Sequence, residues 1–204
     1  MPRKGMSLEE ISVSSDIVLL DSSILLGTYE CLSNANRTKI YCAEESLSYF
    51  TRKIDIISNI LLTEKIYSEL SNFSFISRYP KKDFERDEQN RAYIEIIFQK
   101  DKQKFLEKMA LQGNLLNLSK KEIKNYNKIH SKYFQKKKRY HLSEPDYDLA
   151  ISALVCGQNE EKTAIISNDN GIKKIWHDFL DLENFGKNVA FFNHVSLGNF
   201  KKLN

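Results

Sequence analysis

The chain has 204 residues, 41% of them hydrophobic, which suits one packed domain or one domain carrying a large insertion. Its net charge of +4 is unevenly spread: residues 120–141 hold nine basic side chains and one acid, a local +8, so the remainder carries −4. No run reaches the roughly 18 apolar residues of a membrane span, because Asp55, Ser58 and Asn59 interrupt residues 54–62. Glu9 and Glu10 follow the short basic N-terminus, so no signal-peptide core is present there, and a cytoplasmic protein is expected. Cys31, Cys42 and Cys156 are odd in number and lack CxxC spacing, which argues against a disulfide framework or zinc site and for reduced thiols.

Residues 1–15 read as a loose polar tail. Ile17-Val18-Leu19-Leu20 is a continuous apolar run, as expected of a strand buried on both faces, and it ends at Asp21. Ser22 and Ser23 then start a helix. Over residues 44–57, Leu47, Phe50, Ile54 and Ile57 recur at helical spacing. Residues 59–62 predict a second strand. Thr63 follows as an N-cap with Glu64 in the first turn, and Glu69 lies further along the same helix.

Residues 71–141 break this rhythm. They predict a helical, basic insertion or lid with a thin core: one or two helices over 84–111, a stop at Gly113-Asn114, and another helix from Ser119. The α/β rhythm returns at Ser143-Glu144-Pro145-Asp146, a capping box with proline in the first turn, on a helix closed near Gly157. Thr163-Ala164-Ile165-Ile166 is a strand ending at Ser167-Asn168-Asp169. A helix through Ile172, Ile175, Trp176 and Phe179 follows, and Val189-Ala190-Phe191-Phe192 is the last strand. The alternation predicts an α/β domain with a central, mostly parallel sheet and helices on both faces.

Asp21 and Asp169 each follow a buried strand. If those strands are adjacent and parallel, both carboxylates stand at the carboxyl edge of the sheet, where α/β proteins place their ligands. Glu69 and Asp146 enter from the same edge on helices. Several carboxylates this close cannot all stay ionised unaided, and oxygen-only ligands favour Mg²⁺ or Mn²⁺. Asp146 and Asp148 diverge at i and i+2 on a helix, so which of them faces the site stays open. Ordinary capping and turn chemistry could also account for each acid taken singly.

These segments resemble the PIN-domain nuclease family over roughly residues 16–72 and 142–195. Leu20-Asp21-Ser22-Ser23 resembles its first motif and Leu62-Thr63-Glu64 through Glu69-Leu70 its second, with Glu69 in the acidic role and Glu64 as second choice. Leu142-Ser143-Glu144-Pro145-Asp146 resembles the third, with Asp148 as second choice, and Ile166-Ser167-Asn168-Asp169 the fourth. The resemblance implies a three-layer α/β/α sandwich. It also implies Mg²⁺- or Mn²⁺-dependent cleavage of single-stranded or structured RNA by Asp21, Glu69, Asp146 and Asp169, with Ser23 and Ser167 orienting carboxylates or water. A protein inhibitor or homo-oligomer would be compatible with it.

In the basic segment, Lys132, Lys136, Lys137, Lys138 and Arg139 are the expected nucleic-acid contacts, interleaved with Tyr126, Tyr133, Phe134 and Tyr140 as single-stranded nucleic acid requires. Packing of Tyr126 and Tyr133 on the body is the other reading of those two rings. The four histidines show no HxH or HExxH spacing and are assigned no catalysis. Asp21 is followed by Ser-Ser-Ile, which disfavours a DxDx[TV] phosphatase, and no glycine-rich nucleotide loop is present. The competing function is a catalytically silent RNA- or protein-binding module that uses residues 120–141.

Overall fold

A computed structural model describes residues 5–27, 39–75, 91–183 and 188–203. Its strands are β1 (Ile17–Leu20), β2 (Ile60–Leu61), β3 (Thr163–Ile166), β4 (Val189–Ser196) and β5 (Asn199–Lys202). They form one sheet in the order β2-β1-β3-β4-β5, parallel except for the β4–β5 pair. The chain is therefore α/β with a mostly parallel sheet, as its alternation predicts. β1 and β3 are immediate neighbours, paired from Ile17↔Thr163 to Leu20↔Ile166. Asp21 and Ser167 consequently leave the sheet side by side.

Strand side chains alternate between two cores. Val18, Leu20, Ala164, Ile166 and Phe192 face one; Leu19, Ile165 and Phe191 face the other. The first core is closed by α1 (Leu8–Val13), α2 (Ser22–Leu25), α3 (Lys39–Lys53), α4 (Glu64–Ser71) and α5 (Arg91–Leu111). The second is closed by α6 (Lys120–Arg139), α7 (Glu144–Gln158) and α8 (Asn170–Glu183). No helix among the described residues is long and apolar enough to cross a membrane.

Several expectations need correction. The tail is not loose over the described residues 5–15. Ser7 and Glu10 form a capping box, α1 buries Leu8 and Ile11, and Met6 bridges to Phe200. The sequence does carry the Ser-x-x-Glu signal, but α1 has only six residues, too few to show a repeating period. The strand from Val189 runs on to Ser196 and turns at Leu197-Gly198 into β5, an unexpected fifth strand. Gly198 takes the turn at φ 75°, and Phe200 is the one buried residue of β5, so the edge strand gave almost no apolar pattern.

The segment 71–141 is helical where described, but its core is not thin. Phe98, Phe105 and Met109 of α5 are fully buried against the first core, and Ile129 and Tyr133 of α6 sit in the second. Residues 114–116 lie along the sheet's outer edge: Leu62 N donates to Asn114 O at 3.1 Å and Leu116 N to Leu62 O at 2.8 Å. The two long helices thus complete the outer layers, one on each face. The predicted helix over 84–90 lies outside the described residues.

Two buried details fix the elements around the site. Lys102 of α5 is almost fully buried and donates to Ser71 O at 3.1 Å and Phe73 O at 2.7 Å, so its ammonium stands at the carbonyl end of α4. Burial lowers its pKa, and Glu95 opposes that shift. Cys42 on α3 is disulfide-bonded, against the expectation of reduced thiols; an odd count excludes complete pairing but not one bridge. Cys156 is free and buried, and Cys31 lies outside the described residues.

Candidate active site

Asp21 closes β1 and is 1% exposed. A carboxylate so placed must be solvated by the protein. Ser23 Oγ and Ser167 Oγ both donate to Asp21 Oδ2, the latter at 2.7 Å. Ser22 Oγ stands 3.5 Å from Asp21 Oδ1 and donates to Glu69 Oε2 at 2.7 Å. Ser22 therefore couples α4 to the end of β1. The sequence reading missed it, taking only Ser23 and Ser167; the signal was the tandem Asp-Ser-Ser, in which adjacent hydroxyls leave in different directions.

Ser167 also accepts from Asp169 N at 2.9 Å. Asp169 in turn caps α8, its Oδ1 accepting from Ile172 N at 2.8 Å. A Cβ at Gly171 would come within 2.9 Å of that same Oδ1, so the absence of a side chain there leaves the carboxylate its place. Asp146 belongs to the predicted capping box of α7, where its Oδ2 accepts from Ser143 Oγ at 2.6 Å and Ser143 N at 3.2 Å. Capping is thus a real duty of both Asp146 and Asp169.

The electrostatics join these groups. Burial pushes Asp21 up to about 7; the negative charge of Asp146 adds to this, hydrogen bonds from Ser23 and Ser167 oppose it, and Asp169 adds a smaller upward push. Glu69 reaches the same group through Ser22.

The second choices part from this cluster. Asp148 accepts from Tyr126 Oη at 2.6 Å, with Lys65 Nζ 4.0 Å away. Asp146 and Asp148 therefore serve opposite sides of α7, as their spacing requires. Glu64, at the start of α4, lines a neighbouring cleft together with Asp148.

All these donors are oxygens, which fits Mg²⁺ or Mn²⁺ in chemistry, and the repulsion felt at Asp21 is what a cation relieves. Among the described residues, no group of three or more His, Cys, Asp or Glu is gathered so as to hold a metal ion.

The basic segment divides in two. Lys136 pairs with Asp178 at 2.5 Å, where Tyr140 Oη also donates at 2.7 Å, and Lys137 pairs with Glu144. Lys138 lies over the Phe134 ring at 5.2 Å, Lys132 over Tyr133 at 5.0 Å and Arg139 over Tyr140 at 5.6 Å. Much of the expected contact run is thus engaged within the protein. Lys121, Lys124 and Lys128, spaced along one face of α6, are exposed, as are Lys132, Lys138 and Arg139. Tyr133 is core, packed edge-on against Phe179 at 4.9 Å. Of the histidines, His194 is buried, and that burial lowers its pKa to about 4.

Lys137 brings the basic end of α6 to Glu144, two residues before Asp146, and Lys65 reaches the same Glu144 from α4 at 3.3 Å. Cations therefore flank the acid edge. No protein-family model, curated protein or solved structure matches this chain.

Proposed function

We propose that the chain is a metal-dependent endoribonuclease built as a three-layer, PIN-like α/β/α sandwich, with Asp21, Glu69, Asp146 and Asp169 as its catalytic and metal-holding acids. The observation that carries this reading is the fully buried carboxylate of Asp21 at the carboxyl edge of adjacent parallel strands, its pKa raised by burial first and then by the charges of Asp146 and Asp169. A purely structural acid has no need of two negative neighbours.

A bound Mg²⁺ or Mn²⁺ would neutralise the phosphodiester's charge and activate water. The chain's own residues would do the rest. Ser23 and Ser167 favour the ionised form of Asp21 and orient it by donating to one oxygen. Ser22 positions Glu69. Lys65 draws a phosphate toward the edge, and the exposed lysines of α6 hold the RNA strand beyond it. An RNA substrate, single-stranded or structured, follows from this reading.

The silent RNA- or protein-binding module has one observation in its favour: both Asp146 and Asp169 are already occupied as helix caps. Incubation of a labelled RNA pool with Mn²⁺, Mg²⁺ or EDTA separates the two. Metal-dependent cutting that disappears in Asp21→Asn supports the nuclease. Salt-sensitive RNA binding without cutting, unchanged by Asp21→Asn, supports the silent module.

A further inference from the structure

Beside the acid edge lies a cleft of about 300 Å³ between the start of α4, residues 116–118, α6 and α7. That is the small end of the range for ligand pockets, the size of one nucleoside rather than a stacked run. Leu116, Ile123 and the Tyr126 ring form an apolar wall, and Ile123 is 48% exposed although strongly hydrophobic. Lys65 and Asp148 stand among the polar groups that line the rest. A flat aromatic face with polar edges matches such a lining.

We propose that this cleft is a base-recognition pocket that takes an unstacked guanine of the RNA, read by the Asp148 carboxylate. The inference rests on the acid edge being a phosphodiester site. It gives work to Asp148, which the cleavage site does not use. Tyr126 donates to Asp148 Oδ1 at 2.6 Å and so fixes how the carboxylate points. An ionised carboxylate only accepts, and it has about four lone-pair positions, so one donor from Tyr126 leaves room for more.

Guanine is the base whose Watson–Crick edge offers two adjacent donors, the ring N1–H and the N2 amino group. Uracil offers a single ring N–H between two carbonyls, which a carboxylate repels. Adenine and cytosine set one amino group beside a ring acceptor. Complementarity therefore favours guanine and opposes uracil.

The placement also joins the pocket to the cleavage site. Lys65 Nζ lies 3.3 Å from Glu144 and 4.0 Å from Asp148, at the junction between cleft and acid edge. Lys65 and Glu69 are four residues apart on one face of α4. A nucleotide with its base in the cleft thus has its phosphate at Lys65 and its neighbouring phosphodiester toward Asp21 and Glu69.

The test is calorimetric binding of GMP, IMP and UMP to the full chain in EDTA, independent of cleavage. IMP keeps N1–H and lacks the amino group. GMP binds on the order of tenfold tighter than either competitor, and the preference disappears in Asp148→Asn. Ile123→Trp, at a position already open to solvent, fills the mouth of the cleft and abolishes GMP binding at an unchanged melting temperature; it decides the matter alone if Asp148→Asn fails to fold. Equal binding of the three nucleotides, no GMP binding at millimolar concentration, or a GMP preference that survives these variants overturns the pocket. A GMP preference in a chain that cuts no RNA with any metal keeps the pocket and removes the nuclease. Metal-dependent cutting without a GMP preference does the reverse.

Discussion

Ser167 donates its hydroxyl to Asp21 across two neighbouring parallel strands, at 2.7 Å, while accepting from the backbone of Asp169 at 2.9 Å. One side chain thus sets the orientation of the first acid and the start of the helix that carries the fourth. Ser167→Ala removes a donor to a buried carboxylate, and hydrogen bonding to the charged form is what holds its pKa down. The Asp21 pKa rises further in this variant. The acid limb of the pH–rate profile moves to higher pH, and stability falls by about 1–2 kcal/mol. A side-chain carboxyl titration by NMR checks the first effect directly, and an unmoved titration midpoint contradicts it.

Asp21 also links stability to pH. Its folded pKa, about 7, lies above the unfolded carboxylate value. Below the unfolded pKa both states are protonated and the group costs nothing. As pH rises from about 4 to 7, the unfolded chain ionises first and the folded state loses ground. Asp21→Asn therefore stabilises the fold at pH 8, by up to about 4 kcal/mol, and changes little near pH 4. Urea unfolding of both proteins across this range reads the difference. A variant less stable than wild type at pH 8 would show that the carboxylate is structurally satisfied rather than strained.

The same strain predicts a metal effect apart from activity. A cation bound by the folded chain alone raises stability by mass action. Adding Mg²⁺ or Mn²⁺ at pH 8 raises the melting temperature of the wild type by a few degrees and leaves Asp21→Asn unmoved. Equal shifts in the two proteins would assign the effect to general ionic screening.

Lys102 anchors the far end of α4 through two backbone carbonyls in a buried setting. Lys102→Met keeps the aliphatic stem and deletes the donors. Phe73 O keeps its 3.1 Å bond from Gln99 Nε2, so losing the two ammonium bonds costs on the order of 1 kcal/mol in chemical denaturation. Because α4 carries Glu69, cleavage falls as well, and metal in excess does not restore it.

The strands and the helix starts were readable because they rest on strong local signals. Four-residue apolar runs ended in Asp21 and before Ser167, and Thr63, Ser119 and Ser143 announced their helices as caps. What escaped notice depends on contacts between distant residues. β5 buries one side chain, and α1 is too short to show a period. The membership of α5 and α6 in the two cores cannot be read from a spacing, since only the fold says what their apolar faces meet. Likewise the bond from Tyr126 to Asp148, twenty-two residues further on, is a contact that no local spacing announces.

The basic helix offers the last discrimination. Sequence density pointed to Lys136, Lys137, Lys138 and Arg139, yet Lys136 and Lys137 are bound to Asp178 and Glu144. A lysine already neutralised by a carboxylate releases few counterions when RNA arrives. Among the described residues, the exposed Lys121, Lys124 and Lys128 form no salt bridge with a carboxylate. Replacing these three by alanine lowers the salt slope of RNA binding by about two, at roughly 0.7 per phosphate contact on a single strand, with stability held within about 0.5 kcal/mol. Lys136→Ala instead leaves the slope nearly unchanged and costs up to about 1 kcal/mol of stability, since its partly buried pair with Asp178 is lost. Binding measured between low and high salt for both variants decides which part of α6 meets the strand: a slope that falls only in Lys136→Ala moves the contact back to the C-terminal run.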